Sequence, residues 1–162
     1  MISSLSIKRA AADVGFDMCG ITRCRHLDRN EKFFREWLGA GHSANLYYLR
    51  DNLDKRFDPS ALVEGARSVI VCAVSYKNTF SMGYAGDCRT KIASYACNRD
   101  YHKSIKRMLR QMFALLRETS PQMDGRLFVD SAPLLEKQLA VEAGLGWIGR
   151  QSLIYKIMRD AG

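Results

Sequence analysis

The stretch that most constrains this chain is RLFVDSAPLLEKQLAVEAGLGWIGR, residues 126–150. Arg126-Leu127-Phe128-Val129 reads as a short strand, because bulky apolar residues run without interruption up to Asp130. Ser131 is placed to cap a helix, and Pro133 fits a first helical turn, where no intrahelical N–H bond is lost. Leu134, Leu135, Leu139 and Ala143 then recur at helical spacing, and Gly144 supplies the stop. A carboxylate is thereby set at a strand-to-helix junction, with a glycine turn one helix later. α/β proteins place ligands at such junctions.

At 162 residues the chain is read as a single domain, residues 1–162, and at 47% hydrophobic it can bury a core. Its 25 Lys and Arg against 17 Asp and Glu give a net charge of +8, which favours an anionic partner. The cysteines Cys19, Cys24, Cys72, Cys88 and Cys97 are odd in number, and no CxxC occurs. Neither a disulfide framework nor a zinc site is indicated. Lys8-Arg9 interrupts any secretory apolar run, and no window approaches a membrane span. A reducing cytoplasm and no membrane partner are expected.

Helices are expected over 3–14 (capped by Ser3 or Ser4), 28–38 (capped by Asp28) and from Asp100 to about Thr119. The first carries an apolar stripe of Leu5, Ile7, Ala11, Ala12 and Val14. The second has Phe33, Phe34, Trp37 and Leu38 as its core face. Strands are expected at 17–22, where Gly20 signals close backbone approach or a bulge, and at 68–76. A short helix or turn covers 45–53. Residues 77–90 read as a surface loop, and the pattern of 91–96 does not decide between strand and helix. The long helix has an apolar face of Tyr101, Ile105, Met108, Leu109, Met112, Phe113 and Leu116. Lys103, Lys106, Arg107, Arg110 and Arg117 lie opposite. Helices interleaved with short strands imply an α+β, mixed α/β fold: a central mixed sheet with helices on both sides.

Gly144-Leu145-Gly146-Trp147-Ile148-Gly149 spells GxGxxG, but a helix precedes it and no acid follows at the required distance, so a dinucleotide site is not expected. Helix capping explains Gly144 alone. Glycines around Trp147 would let backbone approach a flat ligand. Asp130 has two readings: a helix-terminus acid, or a general acid whose burial among Leu127, Phe128, Val129 and Leu134 favours its neutral form. Asp100-Tyr101-His102-Lys103 opens the long helix; with no His or Cys four residues on, a metal site is not expected there.

Taken together, GFDMCGIT (15–22), RFDPSALVEGARSVIVCAVSY (56–76), IASYACNRDYHKSIKRML (92–109) and FVDSAPLLEKQLAVEAGLGWIGRQSL (128–153) resemble the N-terminal domain of the epoxyqueuosine reductases. That resemblance implies a nitroreductase-like cobalamin-binding fold. It implies reduction of epoxyqueuosine to queuosine in tRNA, with cobalamin as cofactor, fed by 4Fe–4S clusters. It makes Asp130 the proton donor to the departing epoxide oxygen. Gly144, Gly146, Trp147, Ile148, Gly149 and Arg150 would line the cobalamin site, with Tyr101 and His102 near the corrin. The family's cluster-ligating CxxCxxCxxxCP motifs do not occur in these residues, and the cysteines present are wrongly spaced to replace them. The chain then reads as a truncated product, a fragment or a split half whose clusters come from a missing segment or from a separate iron–sulfur partner, and turnover by this chain alone is not expected. The rival readings are a non-catalytic remnant binding RNA or a protein through the basic helix, and a flavin-binding protein sharing the fold.

Overall fold

The computed structural model describes residues 2–76, 93–97 and 100–156. In chain order these form α1 (Ser4–Asp13), β1 (Met18–Arg23), α2 (Asp28–Gly39), α3 (Leu53–Phe57), β2 (Ser68–Ala73), α4 (Tyr101–Thr119), α5 (Glu136–Glu142), β3 (Gly146–Ile148) and β4 (Ile154–Lys156). Short 3-10 turns occur at Tyr47–Arg50, Pro59–Ala61 and Ser94–Cys97. The last resolves the ambiguity at 91–96 in favour of a helical turn for its described part. The loop expected at 77–90 lies outside the described residues. The fold is a mixture of helices and small sheets, as the interleaved pattern implies. Among the described residues the strands form two two-stranded sheets, β1–β2 and β3–β4, rather than one central sheet. Leu127–Val129 joins no ladder with another described strand. Among the described residues no helix is long and apolar enough to cross a membrane.

The chain groups into two compact units. The first is built on α1 and α4. Ser3 starts α1 as expected, its hydroxyl accepting from the Ser6 N–H at 3.1 Å. Ile7, Ala10 and Ala11 are buried, and α1 packs on α4, whose Met112 and Leu116 are the buried residues of its expected apolar face. Leu5 is exposed. It lies about 200° around the helix from Ile7, so both cannot face one neighbour.

The second unit has its core in Leu27, Phe57 and Leu139, with Phe34, Leu53, Val69, Val71, Leu134 and Leu135 packed around them. Phe57 is 0% exposed. Burial of Leu27 explains one departure from expectation. Leu27, not Asp28, occupies the N-cap of α2, with no side-chain cap bond. Drawing Leu27 into the core moves Asp28 into the first turn, where with Glu31 it favours the helix dipole instead. Phe33 faces solvent while Phe34 packs inward.

β1 and β2 run antiparallel, with Asp17 N–H bonded to Ala73 O (3.1 Å) at one end and Cys24 N–H to Arg67 O (3.0 Å) at the other. At Gly20 the expected close approach is real. A Cβ there would overlap the Ala143 carbonyl and lie 2.8 Å from the Ala143 Cβ and 3.0 Å from Leu145 Cδ2. The end of α5 is therefore seated on β1.

Because Phe57 has no solvent contact, Phe57→Ala should lower unfolding free energy by about 3–5 kcal/mol, the usual cost of emptying an aromatic core site. Urea denaturation with an unchanged m-value is the check.

Candidate functional site

Asp130 sits at the expected junction, but the helix after it starts later than the pattern suggests. α5 begins at Glu136 rather than near Pro133, and Ser131 does not cap it. Pro133 disfavours helical geometry at the residue before it, and Leu134 N–H turns back to Ala132 O at 2.8 Å. Leu134 and Leu135 still reach the core, from the non-helical segment before α5. Asp130 itself has φ +49°, in the left-handed region where Asp is one of the few tolerated side chains. Its N–H donates to Glu136 Oε1 at 2.9 Å, which closes the loop across six residues. The side chain of Asp130 is exposed, whereas Val129 is buried. The burial expected for this carboxyl is thus not found. The left-handed turn directs the acid outward as the preceding valine packs inward.

The glycine run is a helix end followed by a hairpin. Gly144 has φ +75°, Gly144 N–H bonds Val141 O and Leu145 N–H bonds Ala140 O, both at 2.9 Å, which is a Schellman close. β3 and β4 then pair antiparallel with Trp147 opposite Tyr155. Their rings stack at 4.7 Å and 16°. Gln151 bonds the Tyr155 hydroxyl. A Cβ on Gly146 would strike the Tyr155 carbonyl, and one on Gly149 would strike the Tyr155 ring. The clearance read as room for a ligand is therefore filled by the chain's own Tyr155. Trp147 remains 55% exposed and Ile148 39%. Arg150 is exposed. With the run at a helix end rather than opening a helix, the dinucleotide reading fails as expected.

In the first unit Asp100 caps α4, its carboxylate accepting from the His102 N–H at 3.0 Å and lying 3.2 Å from the His102 Nδ1. Against a desolvation that acts upward, these His102 hydrogen bonds and the nearby His102 and Lys103 charges hold Asp100 below the usual carboxylate range. Tyr101 stacks on His102 at 4.1 Å, and Tyr76, Tyr95 and Tyr101 meet edge to face at 6.4 Å. The same unit holds a thiol pair that sequence reading missed. Cys19 is lowered chiefly by its hydrogen bond with Cys72, and that same bond pushes Cys72 up, with burial adding to it. Their pairing follows from the β1–β2 register, which residue counting alone does not give. Cys72 Sγ also lies 3.8 Å from Met112 Sδ. Among the described residues no group of His, Cys, Asp or Glu is arranged to hold a metal ion.

Glu136, which accepts from the Asp130 N–H, and Tyr155, which packs on Trp147, were not anticipated either. Glu136 matches no standard capping interval to Asp130. Tyr155 had a signal: two short apolar segments flanking Gly149-Arg-Gln-Ser, a hairpin pattern.

Residues 56–131 match the family described as epoxyqueuosine reductase QueG, DUF1730. An epoxyqueuosine reductase of Cyclobacterium marinum is 39% identical over 148 residues, covering 91% of this chain and 47% of that protein. The chain belongs to the epoxyqueuosine reductase family. The homologue from Leadbetterella byssophila is 37% identical over 149 residues, 92% of this chain and 48% of its own. The chain thus spans about half the length of the curated relatives it matches. The fold agrees with solved epoxyqueuosine reductases. That of Streptococcus thermophilus has a TM-score of 0.82 at 24% identity, covering 96% of this chain and 42% of that one. An enzyme solved with an epoxyqueuosine-modified tRNA-Tyr stem loop has 0.74 at 19% identity, covering 94% and 40%. The Bacillus subtilis enzyme, described with an aspartate catalytic loop swung out of its active site, has 0.71 at 18% identity, covering 94% and 40%.

Two outcomes follow for the hairpin and the loop. Gly146→Ala should cost about 1–3 kcal/mol through overpacking against backbone, and should abolish the near-ultraviolet dichroism of the Trp147–Tyr155 stack. Glu136→Ala should release the Asp130 amide to faster hydrogen exchange, while Glu136→Gln, which keeps an acceptor, retains most of the protection.

Proposed function

We propose that this chain is the cobalamin-binding domain of an epoxyqueuosine-reductase-like enzyme acting on tRNA, with Asp130 as proton donor. The observation that carries this reading is the Asp130 loop: an acid on a left-handed turn, facing solvent, tied by its N–H to Glu136. Family membership supports it, as does the Bacillus subtilis relative, described with an aspartate catalytic loop swung out of its active site. On this reading, the outward position of Asp130 would be an open arrangement of the loop.

The reaction opens an epoxide to an alkene. A pair of electrons enters, and the oxygen leaves as water after taking up two protons. Asp130 supplies one of them from its carboxyl to the oxygen as the C–O bond breaks. Closing the loop over an apolar wall removes the acid from water, and desolvation favours its protonated form. Val129, already buried, keeps the backbone anchored next to the turn.

Cobalamin is the cofactor this reading requires, and it would supply the electrons at low potential. The exposed indole of Trp147 and the neighbouring Ile148 fit the edge of a large macrocycle. Gly146 and Gly149 do not, since Tyr155 fills their clearance. Tyr101 and His102, which stack on each other at 4.1 Å, are kept as corrin neighbours on the family resemblance alone. Electrons would come from clusters on another polypeptide segment or partner. The net charge of +8 suits an RNA substrate.

Titration with hydroxocobalamin, followed by visible absorption, should give a saturable spectral change. With cobalamin and a strong chemical reductant supplied, Asp130→Asn should bind cobalamin like the parent and lose about 10²–10⁴-fold in turnover of an epoxyqueuosine stem loop. No spectral change at high micromolar protein, or an Asn variant as fast as the parent, would refute the reading.

A further inference from the structure

The 3-10 turn Tyr47–Arg50 carries an arrangement that the chemistry at Asp130 does not use. Side chains three apart eclipse one another on a 3-10 turn, so Tyr47 and Arg50 share a face. Tyr47 is 68% exposed and Tyr48 62%, and neither ring has an aromatic partner among the described residues. Arg50 lines a shallow hollow of about 490 Å³ together with Arg35, Leu38, Gly39 and Leu53. Arg35 is already held by Glu31 at 2.6 Å. Arg50 has no carboxylate within ion-pair distance among the described residues, which leaves it as the available cation.

An exposed ring on the same face as an unneutralised guanidinium, which itself borders a hollow lined by Leu38, Gly39, Leu53 and Arg35, has the two parts of a single-strand nucleic-acid platform. The ring stacks a base, and the cation meets the backbone phosphate. A protein partner would be expected to need more apolar area than this turn offers. The chain's excess of positive charge favours a polyanion. We propose that the Tyr47–Arg50 turn binds an unpaired nucleotide of RNA, its base on Tyr47 and its phosphate at Arg50. The proposal builds on the reading above that this chain handles RNA. Asp51 and Asp54 flank the turn, so the contact involves one phosphate rather than a long track.

The test is fluorescence anisotropy of the whole chain with a labelled anticodon stem-loop RNA and with a blunt duplex of the same stem. The loop should bind more tightly than the duplex. Tyr47→Ala should weaken loop binding by about 5- to 100-fold, and Tyr47→Phe, which keeps the ring, should stay within about twofold. Arg50→Ala should reduce the slope of log K against log salt by about 0.7, the value for one phosphate contact on a single strand. Circular dichroism confirms that each variant is folded, as expected for such exposed sites. Loop binding that survives both Tyr47→Ala and Arg50→Ala overturns the proposal while leaving the RNA reading intact. So does binding lost only on reversing Lys106, Arg107 and Arg110 of α4. No binding to either RNA overturns the proposal and the RNA part of the proposed function together. Cobalamin titration reports on the rest separately.

Discussion

The end of α5 can reach β1 only because position 20 has no side chain. Ala143 and Leu145 occupy the space that a Cβ at Gly20 would need. That contact fixes where the helix stops, and so where Gly144 must turn and where the β3–β4 hairpin must begin. The loop before the helix is set from the same element, because Leu134, Leu135 and Leu139 share the core with Leu27 and Phe57. Asp130 and Trp147 thus lie at opposite ends of one short, well-anchored helix. Their placement depends on a packing constraint that neither side chain makes.

The parts of the fold governed by local periodicity were legible. α1, α2 and α4 follow their 3.6-residue patterns, and the Asp100 cap and the Gly144 stop are where residue type puts them. What was hidden depended on partners distant in sequence. Nothing near Asp28 shows that Leu27 will be drawn into the core and take the cap position. Nothing near Pro133 shows that Glu136 will turn back to the Asp130 amide and leave the helix a turn shorter. In the candidate site the placement of Asp130 at the end of an apolar run and the presence of a glycine turn were readable. The exposure of the acid was not, because apolar neighbours in sequence do not fix which way a left-handed residue projects.

The glycine run shows how one string of letters can serve different physical ends. Gly144 is needed for its positive φ. Gly146 and Gly149 are needed because Tyr155 lies against them. Three requirements produce a pattern that looks like a phosphate-binding fingerprint and has none of its geometry. The aromatic stack that results leaves the indole of Trp147 open on its remaining surface, so the hairpin is closed at its backbone and open at one ring.

The left-handed backbone at residue 130 restricts which side chains evolution can try there. Glycine, asparagine and aspartate enter that region at little cost, whereas most others bring strain. Of those three only aspartate can hand over a proton. The main chain therefore already favours aspartate over glutamate here, so under the proposed role the backbone alone would disfavour the usual conservative exchange for an acid.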